Sequence, residues 1–179
     1  MTSWEFVLQP FPAGLPLPAI TLSGNLRRQG TLLAITYTLA GRLADLIIPP
    51  PAPAPTRRWL LWEATCCEFF LAIPGAEDYW EFNLSPSGDW NVFHLSGYRQ
   101  GIREESAIDH LPLVVQRRPN RLTLSLQTDL AAIFPPDHSW KAAVSAVLQH
   151  ADGRCTFWAL SHPAPQPDFH HRASFLLAV

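Results

Sequence analysis

Lysine and methionine are almost missing from this chain: Lys141 is the one lysine and Met1 the one methionine, so arginine supplies nearly all of the 13 basic residues. Against 15 acidic residues these leave a net charge of -2, which makes no electrostatic case for nucleic acid or for an anionic membrane surface. Long apolar runs are missing too, with nothing near the roughly 20 residues of a membrane span. The opening MTSWEFVLQPF has neither the basic start nor the apolar run of a signal peptide. Cysteine is scarce: Cys66, Cys67 and Cys155 do not make a disulfide framework. A reducing, cytoplasmic location is therefore the expectation. GxSxG, P-loop, dinucleotide-type glycine, CxxC and HExxH patterns do not occur. Cys67 with a histidine could serve as a nucleophile pair, but nothing brings the two together. A non-catalytic protein without a cofactor is expected.

Aromatic residues are what the chain has in quantity, with seven tryptophans and ten phenylalanines in 179 residues. That length suits one domain, 1–179, with a core that needs no staples. The densest stretch runs from Trp59 to Gly101 and reads WLLWEATCCEFFLAIPGAEDYWEFNLSPSGDWNVFHLSGYRQG. Within it, Tyr79–Leu84 and Trp90–Leu95 are rich in aromatic and β-branched residues and flank Ser85-Pro86-Ser87-Gly88, a turn in which proline presets φ and glycine permits positive φ. With those four residues as the loop, Asn83 pairs with Trp90, Glu81 with Val92 and Tyr79 with His94. Side-chain alternation then gathers Tyr79, Glu81, Asn83, Trp90 and His94 on one face and turns Trp80, Phe82, Asn91 and Phe93 to the other. One extra bulge residue at Asp89 would swap the faces of the second strand.

The run before the hairpin alternates as well, with Thr65, Cys67, Phe69, Leu71 and Ile73 against Cys66, Glu68, Phe70 and Ala72. Glu68 is the exception in an apolar strand, and its carboxylate needs solvent or a partner. Arg42, Arg99 and Arg103 are the available cations. Further strands are expected at 4–11, 19–26, 32–39, 43–48, 113–116, 121–127, 140–149, 155–160 and 173–179. Residues Pro49–Pro55 read PPPAPAP, a stiff surface connection that cannot join a ladder. Many short strands separated by turns predict an all-β fold: an antiparallel, jelly-roll-like β-sandwich of about ten strands.

Among the tryptophans, Trp4, Trp80 and Trp140 are expected in the core, while Trp62, Trp90 and Trp158 are open between core and a binding face. A flat indole covers the apolar side of a sugar ring while Glu, Asn, Arg and His side chains bond its hydroxyls. His162, Asp168, His170 and His171 cluster in HPAPQPDFHH, and such residues can ligate a metal. Without a cysteine or a second spaced pair, the favoured reading is a proline-rich loop held by hydrogen bonds of Asp168 and His170 to backbone groups.

The blocks LWEATCCEFF, YWEFNLSPSGDWNVF, GYRQG and FWALSHPAPQPDFHHRASF resemble the DOMON-like proteins related to family 9 carbohydrate-binding modules. The resemblance implies a β-sandwich whose ligand site lies on one sheet or at its edge, with a sugar held between two tryptophans. Trp62, Glu68, Glu81, Asn83 and Arg99 fall in the matching blocks, and Trp158 is a candidate second clamp residue. The DOMON superfamily also includes haem-binding domains with methionine as an axial ligand; with Met1 alone available, only a histidine pair such as His94 and His162 could serve. The expected partner is a carbohydrate or other small ligand. The alternatives are a structural or protein-interaction sandwich whose face is filled by its own loops, the Pro49–Pro55 segment above all, and a haem or metal protein.

Overall fold

A computed structural model describes residues 2–12, 17 and 19–179, which leaves Met1 outside. Two antiparallel sheets face each other. The first has five strands, in the spatial order β1 (Thr2–Val7), β3 (Ile20–Gln29), β4 (Leu32–Gly41), β10 (Arg121–Asp129) and β9 (Val114–Arg118). The second runs β2 (Gln9–Pro10), β12 (Cys155–Ala159), β11 (Lys141–Gln149), β5 (Cys66–Ala72), β6 (Tyr79–Leu84), β7 (Trp90–Leu95) and β8 (Arg103–Glu104), and β13 (Leu177–Ala178) adds to β11. The all-β sandwich read from the sequence is the fold, with thirteen strands in place of about ten.

Alternation builds the interior. Leu33, Ile35, Tyr37 and Leu39 of β4 and Leu122, Leu124 and Leu126 of β10 point inward from the first sheet and are buried. Cys67, Phe69 and Leu71 of β5 answer them from the second, and the Phe69 and Phe82 rings stack at 4.3 Å. Each such large apolar side chain contributes roughly 1.5–3 kcal/mol through burial. Tyr37 carries a hydroxyl into this layer and donates it to the carbonyl of Glu68 at 2.6 Å, tying the two sheets together without an orphaned polar group.

The second sheet is covered on both faces: every residue of β5, β6 and β7 is buried. Its outer face carries a smaller apolar cluster of Phe70, Tyr79, Phe93, Leu95, Ala143 and Phe175, against which Trp62 and Phe169 pack. The cover comes from loops, and the site lies in that cover.

Two expected strands are shorter or different. Residues 43–48 form a 3-10 turn, Leu43–Asp45, and a single bridge from Leu46 to His150. Residues 173–179 pair only at β13, because the Ser174 hydroxyl, placed to donate to the carbonyls of His171 and Phe169, holds the chain in the 3-10 turn Arg172–Ser174. At the other end, Trp4, expected in the core, lies 39% exposed and donates its indole N–H to the carbonyl of Ala178.

Candidate functional site

The hairpin of β6 and β7 decides which side chains reach the outer face. Its register pairs Leu84 with Trp90, Asn83 with Asn91, Glu81 with Phe93 and Tyr79 with Leu95. The loop therefore has five residues, Ser85 to Asp89, one more than the turn signal alone predicts. Asp89 belongs to the loop because its carboxylate accepts from the Thr56 backbone N–H at 2.9 Å and from the Ser87 hydroxyl at 2.9 Å, while the Ser85 N–H closes onto the Asp89 carbonyl. One extra residue inverts the whole second strand. Tyr79, Glu81 and Asn83 stay on the outer face; Trp90 and His94 turn inward. Trp90 is 3% exposed beneath the Arg57 guanidinium, and His94 packs on Trp80 with Nε2 3.0 Å from Asp78 Oδ2. Trp158 also turns inward, since it pairs with Ala146 and joins the main core. Of the nine predicted ligand residues, those three leave the face.

Four of the other six, Trp62, Glu68, Glu81 and Arg99, line a cleft of about 370 Å³ in the loop cover of the second sheet. Glu68 of β5, Glu81 of β6, Leu95 of β7, Val147 of β11 and Phe157 of β12 make its floor. Trp62, on the 3-10 turn Leu61–Glu63, lines it, as do Arg99, Ile102, Pro167, Phe169 and His170. Leu60 and Arg99 are the two non-glycine residues with positive φ among the described residues, at 61° and 55°. Each such backbone costs about 1–3 kcal/mol, and both sit where the chain delivers a side chain to the cleft. The Pro49–Pro55 loop lies elsewhere, against the tip of the hairpin, where the Ala52 N–H donates to the carbonyl of Ser87.

Asn83 and Tyr79 do not line the cleft; they set the residues that do. Asn83 donates to Glu81 Oε1 at 2.8 Å. The Tyr79 hydroxyl receives the Arg99 backbone N–H at 3.2 Å and has His170 Nδ1 at 2.8 Å. A phenol that accepts from Arg99 donates to Nδ1, so the imidazole proton sits on Nε2, 3.9 Å from Glu81 Oε2. Burial, then the charge of Arg99, pushes the His170 pKa down to about 4, so the ring is neutral. Arg99 spends its guanidinium on Asp168 at 3.0 Å, and the Tyr98 hydroxyl donates to the other Asp168 oxygen at 2.5 Å. Although burial opposes it, those two bonds hold Asp168 below its usual range.

The Asp168 carboxylate also receives the His170 backbone N–H, so the expected loop held by Asp168 is present. His170, by contrast, turns its side chain to the cleft, and His162 goes to the carbonyl of Gln9. No group of three or more His, Cys, Asp or Glu side chains among the described residues is placed to hold a metal ion.

Glu68 and Glu81 are the electrostatic centre. Glu68 pairs with Asn83 across β5 and β6, so Glu81, two residues on, is its diagonal neighbour, roughly 7–8 Å away along the backbone and within side-chain reach. Burial, then the charge of Glu81, pushes Glu68 well above the ordinary carboxylate range; burial also raises Glu81, against the bond from Asn83 and the field of Arg99. None of the three arginines proposed from the sequence pairs with Glu68: Arg42 goes to Asp45, Arg99 to Asp168, and Arg103 lies exposed on β8. Among the described residues, Glu68 Oε1 is buried with no hydrogen-bond partner, as is Oγ of Ser145, which pairs with Glu68 across β11 and β5.

Sequence reading missed the aromatic floor and wall at Phe157 and Phe169. Phe157 is the alternation partner of Trp158, and in CTFWA both parities carry an aromatic, so no pattern tells which faces out. Phe169 stood in view between Asp168 and His170.

No family model matches the chain, and no curated protein matches it in sequence. Solved structures do match in fold. A candidate carbohydrate-binding protein from Bacteroides uniformis superposes with a TM-score of 0.68 at 14% identity, over 93% of this chain and 83% of that one. A family 9 carbohydrate-binding module from Caldicellulosiruptor kristjanssonii, in complex with cellotriose, superposes with a TM-score of 0.51 at 9% identity, over 84% of this chain and 70% of that one. The chain thus has the β-sandwich fold of these structures.

Proposed function

We propose that the chain is a non-catalytic carbohydrate-binding module of the family 9 type that takes a sugar in the outer-face cleft. The observation that carries this reading is the partnerless, buried carboxylate of Glu68 on the floor of an aromatic-lined cleft. Such a group costs free energy until a donor reaches it, and a ligand hydroxyl supplies one. Trp62 supplies the flat apolar face, Phe157 and Phe169 the further aromatic surface, and Glu68, Glu81, Arg99 and His170 the polar contacts. The cleft volume is at the small end of the roughly 300–1,000 Å³ range of small-molecule sites, which suits one or two sugar rings. The binding of cellotriose by a module of the same fold supports a glucose-type ligand. The structural alternative has the face filled by the chain's own loops; the Pro49–Pro55 loop packs on the hairpin tip instead, and the loops that do cover the sheet leave the cleft between them.

Tryptophan fluorescence titrated with mono- and oligosaccharides tests the proposal. A saturable change that is lost in Trp62→Ala is expected; a flat response to glucose, xylose and cellotriose alike overturns it.

A further inference from the structure

The floor of the cleft holds more acid than a neutral sugar needs. Glu68 is 3% exposed and Glu81 5% exposed, on adjacent strands and the same face, and both line the cleft. Among the described residues no lysine or arginine forms an ion pair with either, and only the field of Arg99 reaches Glu81. Arg99 is committed to Asp168, the neutral ring of His170 approaches Glu81 no nearer than 3.9 Å, and Asn83 offers Glu81 a single uncharged N–H. Glu68 Oε1 and its cross-strand neighbour Ser145 Oγ are left with no partner. Two buried carboxylates in contact with no cation must share protons or receive a charge from outside.

We infer that the ligand brings that charge: the cleft is built for a protonated amino sugar, whose ammonium group is taken by Glu68 and Glu81. This rests on the sugar-binding reading above and narrows it. An ammonium presents three donors, no acceptor and the charge that lets Glu68 and Glu81 ionise together as acceptors; a hydroxyl presents one donor and no charge. The Trp62 ring and the faces of Phe157 and Phe169 border the same space, where a cation is attracted to an aromatic face and the apolar side of a pyranose is covered. Arg99 does not compete for the site, because Asp168, itself fixed by the Tyr98 hydroxyl, holds its guanidinium at the rim.

The test is calorimetric titration of the full chain near neutral pH with D-glucose, D-glucosamine and N-acetyl-D-glucosamine, in wild type and Glu68→Gln. Replacing a neutral hydrogen bond to a carboxylate by a charge-assisted one is expected to make glucosamine bind about tenfold more tightly than glucose. Acetylation, which removes the charge and keeps the ring, is expected to abolish that gain. In Glu68→Gln the glucosamine-to-glucose ratio is expected to fall to about one. Glucose binding with no preference for glucosamine overturns the amine proposal and leaves the sugar-binding reading standing. Silence for all three ligands in a folded wild-type protein overturns both. Should Glu68→Gln fail to fold, the wild-type comparison of amine with N-acetyl amide decides on its own.

Discussion

Replacing Glu68 by glutamine removes a carboxyl whose ionisation burial opposes, and the effect has a sign that pH can read. In the unfolded chain Glu68 ionises near its ordinary value of 4.5; in the fold, burial and the Glu81 charge hold it protonated well above that. Between those two values the native state binds the proton and the unfolded state does not, so stability falls as pH rises, by at most about 1.4 kcal/mol per pH unit for one proton. His170 acts oppositely: its folded value of about 4 against an ordinary 6.5 makes stability rise with pH across that interval. Below 6.5 the two slopes offset each other; above it the Glu68 slope stands alone until its folded pKa is passed. Urea midpoints of wild type and Glu68→Gln across mildly acid to mildly alkaline pH isolate the term, because subtracting the variant removes His170. The difference, wild type minus variant, is expected to fall with rising pH at about 1.4 kcal/mol per unit. A difference that stays flat, or that rises with pH, would refute the assignment of Glu68 as a buried acid without a cation.

Tyr79→Phe deletes a hydroxyl that both receives the Arg99 N–H and holds His170 Nδ1; a loss of about 1–3 kcal/mol in chemical denaturation is expected, together with weaker ligand binding, since the cleft residues lose their set positions. Trp90→Phe leaves a partly empty slot under Arg57 on the inner face; about 1–3 kcal/mol of stability is expected to go while ligand affinity in the cleft changes less than about twofold. A large loss of affinity without loss of stability would return Trp90 to the binding face. Phe169→Ala opens the cleft wall without touching the main core, and is expected to weaken sugar binding about tenfold or more by calorimetry.

What could be read from the sequence divides along local and non-local causes. The bounds of β6 and β7, the alternation of β5 with Glu68 as its misfit, and the strand in 141–149 follow from residue patterns within a few positions. The hairpin register does not, because Asp89 is drawn into the loop by Thr56 and by an ion pair with Arg58 at 3.2 Å, both more than thirty residues upstream. One residue of loop length then inverted the predicted placement of Trp90 and His94. Trp158 was unreadable for a related reason: its parity is set by pairing with Ala146, not by any contrast with its neighbours. Of the cleft residues that were legible, Glu68 stands out as a charge in an apolar strand and Glu81 follows from alternation in the hairpin, while Trp62 and Arg99 come from the blocks that resemble family 9 modules. Glu68 also shows the limit, since from sequence its carboxylate is open between a salt bridge and a ligand, and in the structure no described residue pairs with it.

The most direct test of the account is nuclear magnetic resonance of the labelled protein titrated with cellotriose and glucosamine. The expected result is a set of saturable shifts confined to the indole N–H of Trp62 and the amides of Glu68, Glu81, Arg99 and His170. Saturable shifts clustered instead on the five-stranded sheet or at the Ser85–Asp89 loop, with the cleft unmoved, would contradict it.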